Sequence, residues 1–310
     1  MPGPAVVIPQ IAWIRYGVRL GVVILPDRRW RDAAAIWREV EAIGFEHGWT
    51  YDHLAWGSLR DSAWFAAFPT LAAAAGVTSR IRLGTLVASP NFRHPVPLAR
   101  EVLALDDISE GRFELGIGAG GGGWDATILG GPPWTAAERS ARFAEFVELT
   151  DLLLSERRVS YSGSYYSAEE ARSYPGCIQA PRVPFVVGGT GPKAMAVVAR
   201  FGDAWVTTGP RHADGALDAE MGARAVAEQL DLLEAACGEI GRNAGQLRRI
   251  ALLGPTLAQE MSSAAQFEDS VERYEAAGVT ELIVHWPRED GPYRGDRRSF
   301  ETAVAGSLRR

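Results

Sequence analysis

The stretch from Phe113 to Asp125 runs Phe-Glu-Leu-Gly-Ile-Gly-Ala-Gly-Gly-Gly-Gly-Trp-Asp. A short apolar segment, typical of a strand, gives way to four consecutive glycines. Because glycine has no Cβ, this backbone can adopt a positive φ and approach a ligand closely. Two interpretations are open: a loose surface loop, or a flat wall beside a bound ring or phosphate.

On both sides of this stretch the sequence alternates between strand and helix patterns. Apolar runs predict eight strands, at residues 16–25, 45–51, 81–87, 113–117, 185–188, 204–208, 249–253 and 281–285. Helical spacing of apolar residues predicts helices at 30–43, 64–76, 95–108, 137–155, 193–201, 218–240 and 263–277, with a short helix from Phe300. Residues 159–182, rich in Tyr, Ser and Pro, predict a hairpin-like excursion.

Near-continuous apolar strands such as Ile250-Ala-Leu-Leu253 suit a parallel sheet that is covered on both faces. Eight strand–helix units in a chain of 310 residues predict an α/β fold, a closed (β/α)8 TIM barrel. We expect one domain over residues 1–310, with its core at about 16–286. A doubly wound open sheet is the structural alternative, but it usually has fewer strands.

Composition excludes several classes of protein. A net charge of -6 argues against a nucleic-acid partner, which requires a clustered basic surface. Two cysteines, Cys177 and Cys237, are too few for a disulfide framework or a metal cluster, and indicate a reducing compartment. The apolar residues 18–25 are too short to span a bilayer, and residues 1–10 lack the charged start of a signal peptide. We therefore expect a cytoplasmic protein without a membrane partner.

The segment Gly188-Gly-Thr-Gly-Pro-Lys193 follows a predicted strand and enters a predicted helix. Glycines there place backbone N–H groups at a helix N-terminus, which favours anions. Lys193 either adds charge or points to solvent. An ordinary tight turn is the alternative, and the motif is not a Walker P-loop, because its Gly-Lys-Ser/Thr ending is absent.

The glycine run also contains a formal dinucleotide fingerprint, Gly116-x-Gly118-x-x-Gly121. That fingerprint requires a helix to begin within the motif. Here Gly130-Gly-Pro-Pro133 breaks any helix that follows, so we reject the match. The run is better interpreted as a flat wall past which a ring system can slide.

In a barrel, ligands bind just beyond the C-terminal ends of the strands. Asp52-His53 follows the second predicted strand and is the best candidate for acid–base chemistry, although such a pair often only ties loops together. The histidines lack metal-ligand spacing, so we expect no metal site. Trp56 and Trp124 lie in predicted mouth loops, where they stack on a ligand or cover the barrel end.

Several motifs together resemble the luciferase-like monooxygenase superfamily, over roughly Val18 to His285. The matching segments are Arg80-Ile-Arg-Leu-Gly-Thr-Leu-Val87, Arg93-His-Pro95, Asp107-Ile-Ser-Glu-Gly-Arg112, Leu115-Gly-Ile-Gly-Ala-Gly120, Val183-Pro-Phe-Val-Val-Gly-Gly-Thr-Gly191 and Phe201-Gly-Asp-Ala-Trp205. The barrel of this family agrees with the eight units that the apolar pattern predicts.

The resemblance implies a cofactor that is either FMN or the deazaflavin F420. Its ring is expected near Leu86-Val87, where relatives often have a non-prolyl cis peptide bond, and its phosphate on the loop after the fifth strand. Asp52-His53 resembles the Asp-His pair of the F420-dependent branch, in which the His faces the reactive ring edge. The implied cofactor-binding residues are Leu86, Val87, Gly118, Ala119, Gly120, Gly188, Gly189, Thr190 and Gly191.

The sequence departs from that branch at two places. Trp56 resembles a nearby active-site Trp, but at a slightly different spacing. Sugar-phosphate dehydrogenases have a Glu soon after the strand-four glycines, where this chain has Gly121 to Gly123 and the nearest acid is Asp125. We therefore do not transfer the sugar-phosphate substrate, and we assign Trp56, Trp124 and Asp125 to the binding of a small organic substrate.

The predicted activity is hydride transfer between F420 and that substrate, with His53 polarising or protonating the acceptor. An FMN-dependent monooxygenase that uses reduced flavin, O₂ and a partner flavin reductase is the first alternative. A barrel that binds flavin without turnover is the second. The family also implies a homodimer.

Overall fold

The computed structural model of the protein describes residues 17–210, 218–253 and 263–308; residue 16, where the first strand was predicted to start, lies outside them. The described chain contains a closed barrel of eight parallel strands, which confirms the predicted fold class. These strands are β1 (Arg19–Val23), β2 (His47–Thr50), β3 (Arg82–Thr85), β4 (Phe113–Gly118), β7 (Phe185–Gly188), β8 (Ala204–Thr207), β9 (Arg248–Leu252) and β10 (Glu281–His285). The barrel closes where β1 pairs with both β2 and β10.

Helices connect successive strands and surround the barrel. They are α1 (Trp30–Ile43), α2 (Ala67–Ala75), α3 (Pro95–Ile108), α4 (Ala136–Ser155), α5 (Pro192–Phe201), α6 (Ala219–Glu239), α7 (Ala264–Ala276) and α8 (Arg297–Leu308). The predicted hairpin is present as the antiparallel strands β5 (Arg158–Ser162) and β6 (Ser167–Arg172). None of the helices within the described ranges is long and apolar enough to span a bilayer.

Local sequence determines where several helices begin. Helix α3 starts at Pro95, and the imidazole of His94 accepts a hydrogen bond from the Val96 amide at 3.2 Å. Helix α4 starts with a capping box, in which Thr135 and Glu138 each accept from the backbone amide of the other. These caps fix the point at which each loop from the barrel mouth enters its helix.

The core has two layers. Strand residues such as Val23, Trp49 and Ile283 form one cluster inside the barrel. Strand residues that face outward pack against the helices, with Trp37 and Phe146 among the fully buried side chains. Since alternate residues of a strand point to opposite sides, β1, β7, β8, β9 and β10 contribute to both layers.

Charged side chains close the N-terminal end of the barrel. The carboxylate of Glu114, only 3 % exposed, accepts from Arg82 Nε at 2.6 Å and from Arg248. His47 Nε2 lies 3.5 Å from the same carboxylate. Burial alone would raise the pKa of Glu114, but His47, Arg248 and Arg82 outweigh it and hold the pKa well below 4.5. This end of the barrel contributes to stability, and the opposite end is available for ligands.

Candidate active site

A cleft of about 300 Å³ opens at the C-terminal ends of the strands, and we call it the central cleft. It is lined by Tyr51, His53, Trp56, Leu86, Val87, Ser89, Asn91, Gly118, Ala119, Gly120, Gly121, Gly188, Gly189, Thr190, Val206, Thr207, Thr208 and Leu252. The structure thus brings together most of the predicted cofactor-binding residues. The exception is Gly191, the N-cap of α5, which is not among the residues that line the cleft.

The floor of the central cleft is the Leu86–Val87 segment, and its peptide bond has the expected cis geometry. The Leu86 amide donates to the carbonyl of Thr50 at 2.8 Å, which ties the floor to β2. Gly118 lies directly against it, since a Cβ at this position would be 2.6 Å from Val87 Cγ2. The absence of a side chain at Gly118 therefore allows Val87 to occupy the floor.

The wall beyond β4 depends on Gly120 and Asn91. Gly120 has φ +73°, a conformation that residues with a Cβ rarely adopt, and a Cβ there would be 2.7 Å from Asn91 Oδ1. Asn91 Nδ2 donates to the carbonyl of Gly121 at 3.1 Å. The first part of the glycine run is therefore fixed against Asn91 and is not a loose loop.

The loop after β7 leads from the cleft into the N-terminus of α5. Trp205 Nε1 donates to the carbonyl of Gly189 at 2.7 Å, and a Cβ on Gly189 would be 2.4 Å from the Ala194 Cβ. The loop is therefore packed tightly against the helix that it enters. Lys193 lines a groove with residues of α4 instead, so its ammonium group does not face the central cleft.

His53 is oriented by Asp125, from the turn after the glycine run. Nδ1 of His53 pairs with Asp125 Oδ2. The other carboxylate oxygen accepts from the amides of Leu54 and Ala55, at 2.7 and 3.1 Å. Asp125 is 5 % exposed. The pairing uses Nδ1, so Nε2 is the ring nitrogen that a ligand can reach.

The Asp52 side chain, the other acid–base candidate from the sequence, is hydrogen-bonded to Arg93 and not to His53. It is 2 % exposed and accepts two hydrogen bonds from Arg93, of which the Nη2–Oδ1 contact measures 2.7 Å. Burial raises the pKa of Asp52, and the Arg93 guanidinium opposes this effect. Arg93 also binds Glu101 at 2.6 Å. Asp52 therefore belongs to an ion-pair group that connects β2 to α3.

A second cleft of about 340 Å³, which we call the side cleft, adjoins the central one. It is lined by His53, Ala55, Trp56, Gly57, Ser58, Asn91, Gly121, Gly123, Trp124 and Asp125. Trp56 packs against His53 with ring centroids 4.8 Å apart. Trp124 is 47 % exposed and lies under the Arg60 guanidinium, 4.1 Å from the ring centroid. The predicted substrate residues thus surround a space that shares His53 and Trp56 with the central cleft.

Sequence reasoning missed several residues of the central cleft, among them Tyr51, Asn91 and Thr207. Each lies at the end of a strand or just beyond it, which is the signal that identified His53. Within the described residues, no group of three or more His, Cys, Asp or Glu side chains could hold a metal ion.

Comparison with known proteins provides independent information. Residues 15–298 match the sequence model of a family described as luciferase-like monooxygenase. An F420-dependent glucose-6-phosphate dehydrogenase from Beutenbergia cavernae is 32% identical, with 84% of this chain and 88% of that protein covered. An F420-dependent hydroxymycolic acid dehydrogenase from Mycobacterium tuberculosis is 33% identical over 54% of this chain and 46% of its own length.

Solved structures agree on the fold. An F420-dependent secondary alcohol dehydrogenase, in complex with an F420-acetone adduct, superposes with a TM-score of 0.79 at 17% identity, covering 94% of this chain and 98% of that one. The monooxygenase RslO1 from Streptomyces bottropensis gives a TM-score of 0.67 at 20% identity, with the same coverage. At these identities the similarity establishes the barrel alone.

Proposed function

Because the chain belongs to the luciferase-like monooxygenase family, we propose that it is an F420-dependent oxidoreductase that transfers a hydride between F420 and a small organic substrate. The observation that carries this proposal is the position of His53. Asp125 holds the imidazole of His53, and this ring lines both the central and the side cleft. An acid–base group in that position can act on a molecule in one cleft while a cofactor occupies the other.

The residues of the central cleft fit a flat, phosphate-bearing cofactor. Leu86 and Val87 provide an apolar floor, and Gly118 leaves the space beside Val87 free of a side chain. The loop from Gly188 to Thr190 enters the N-terminus of α5, whose first-turn amides favour an anion. When bound, F420 would supply the ring carbon that accepts or donates the hydride.

His53 is the residue that we assign to proton transfer. With Nδ1 engaged by Asp125, Nε2 can accept a proton from a substrate hydroxyl or donate one to a carbonyl oxygen. Asp125 fixes the ring orientation and stabilises its protonated form, as an acid partner of a catalytic histidine does in other enzymes. Asp125 is therefore a positioning residue in this proposal, although its sequence context suggested a direct contact with substrate.

The side cleft is the proposed substrate site. Trp56 and Trp124 provide aromatic surface on which an apolar or ring-containing molecule can pack. The names of the relatives include both a sugar-phosphate and a secondary alcohol dehydrogenase. The probe molecules for an activity assay should therefore include glucose 6-phosphate and a neutral secondary alcohol.

Titration of the purified protein with F420 and with FMN, followed by fluorescence quenching, tests the cofactor. We expect quenching by F420, whereas binding of FMN without binding of F420 would favour the monooxygenase alternative and overturn the proposal. Turnover is then followed as F420 absorbance with cyclohexanol and glucose 6-phosphate, and in reverse with reduced F420 and cyclohexanone. His53→Ala should retain F420 affinity and lose turnover. Unchanged turnover in that variant would remove His53 from the mechanism.

A further inference from the structure

Tyr51 in the lining of the central cleft is connected to polar groups that the proposed hydride transfer does not use. Tyr51, at the end of β2, lies with its hydroxyl 2.7 Å from His285 Nε2. His285 Nδ1 lies 3.0 Å from the carbonyl of Leu253, just beyond β9. The Tyr293 hydroxyl is 3.4 Å from that of Tyr51, and the Tyr51 ring packs against Trp56 with centroids 4.9 Å apart. Four segments of the chain therefore meet through these groups.

The carbonyl at one end of the series determines the direction of every bond. A carbonyl oxygen only accepts, so His285 Nδ1 carries the hydrogen that points to Leu253. Burial lowers the pKa of His285 to about 3, so the ring is neutral and Nε2 accepts from Tyr51. Because the one hydroxyl hydrogen of Tyr51 points to His285, the Tyr293 hydroxyl donates to Tyr51. The donors run in one sense, from Tyr293 through Tyr51 and His285 to the Leu253 carbonyl.

The backbone at Tyr293 gives a second, independent observation. This residue has φ +63°, a conformation that is rare for a bulky side chain. Strained residues of this kind persist where the surrounding structure holds them, and they concentrate at functional sites. Here the Tyr293 ring stacks on His285 with centroids 3.7 Å apart. The Tyr293 carbonyl accepts from the Arg288 amide at 3.0 Å, and Arg288 is held by Asp27 at 2.7 Å.

We propose that Tyr51, His285 and Tyr293 form a directional hydrogen-bond chain that fixes the Tyr51 ring and, through ring packing, the Trp56 ring in the wall shared by the central and side clefts. The three residues act through Trp56 and are positioning residues. Trp56 packs against both Tyr51 and His53, with ring centroids 4.9 and 4.8 Å apart. The hydrogen-bond chain therefore also supports the imidazole of His53. The contact between Trp56 and the organic substrate rests on the proposed function. The hydrogen-bond chain itself does not.

The indole ¹H–¹⁵N resonance of Trp56 in the protein without cofactor tests the chain directly. Trp56→Phe assigns the signal by its loss. Tyr293→Phe removes the hydroxyl that donates to Tyr51 and keeps the ring stacked on His285. The Tyr51 ring and the Trp56 ring packed on it should then move, so we expect this resonance to shift. Tyr51→Phe, which removes the central hydroxyl, should shift it as well. Tyr161→Phe is the matched control, because its hydroxyl binds Glu148 on the hairpin side of the barrel.

An unmoved Trp56 resonance in Tyr293→Phe would overturn the proposal, and so would a shift in Tyr293→Phe without any shift in Tyr51→Phe. Circular dichroism checks that the variants fold. In the assay with cyclohexanol, Tyr293→Phe should raise KM about fivefold and change kcat less, the loss expected for one hydrogen bond. Because the resonance is measured without F420, failure of the proposed function would leave this result standing.

Discussion

Asp125, 72 residues beyond His53 in the chain, holds the imidazole of His53 and at the same time accepts from the two amides that follow it. This arrangement fixes the position and the orientation of the ring together. It also connects the loop after β2 to the turn after the glycine run, which line the side cleft together.

Replacing Asp125 with Asn should therefore lower kcat by about 100-fold, the lower range of an acid–base contribution. The amide can still accept from the Leu54 backbone, but its NH₂ group would face Nδ1 and favour the wrong tautomer of His53. F420 affinity should remain within about twofold of the wild-type value. Asp61→Asn, on an exposed side chain, is the control. A kcat unaffected by Asp125→Asn would contradict the positioning role.

Gly118→Ala should weaken F420 binding by about tenfold, which corresponds to about 1.4 kcal/mol. The new Cβ would lie 2.6 Å from Val87 Cγ2 and displace Val87 from the cleft floor. Gly122→Ala provides a matched control in the same glycine run, because a Cβ there meets no described atom within 4 Å. Equal F420 affinities for the two variants, measured by fluorescence quenching, would show that the floor does not depend on Gly118.

Glu114→Gln should destabilise the protein by about 3 kcal/mol at pH 7, because it leaves Arg82 and Arg248 without their buried carboxylate partner. Since the pKa of Glu114 is lowered in the folded state, its stabilising contribution is present above pH 4.5 and is lost as the pH falls through the folded value. The difference from wild type should therefore shrink in acid. Urea unfolding at pH 7 and pH 4 measures it, with the exposed Glu228→Gln as control.

His285 should make the protein less stable in mild acid. Burial lowers the pKa of His285 from 6.5 to about 3. Below pH 6.5 the imidazole therefore takes up a proton when the protein unfolds. Its stabilising contribution is complete above pH 6.5 and is lost progressively as the pH falls towards 3. When the pH falls from 7.5 to 5.0, the free energy of unfolding should decrease in both proteins. The decrease should be up to about 2 kcal/mol smaller for His285→Gln than for wild type. Identical pH dependence in urea unfolding of the two proteins would be inconsistent with a neutral His285.

Most of the fold follows from local sequence. Strands β7 and β10 occupy the ranges that their apolar runs predict, and α3 begins at the predicted Pro95. These segments are bounded by glycine, proline or charged residues, which define their ends without tertiary information. Helix α2 begins at Ala67 rather than at the predicted residue 64, because the Phe65 amide donates to the carbonyl of Pro26 at 2.8 Å and Ala66 is extended.

The pairing of the site residues was less predictable. Asp52 and His53 are adjacent in sequence, but successive residues of an extended chain point to opposite sides. Asp52 therefore faces Arg93 and α3, and His53 faces the clefts. The contact between Tyr51 and His285 spans 234 residues and depends on the closure of the barrel, which no local pattern encodes.

The three glycines from Gly121 to Gly123 offer a route to redesign. A Cβ on Gly122 or Gly123 meets no described atom within 4 Å, and one on Gly121 meets only a backbone nitrogen at 3.9 Å. Gly121 and Gly123 line the side cleft, a few residues from the carboxylate that orients His53. Libraries of side chains at these positions could change substrate preference while the floor at Gly118 and the His53–Asp125 pair are kept.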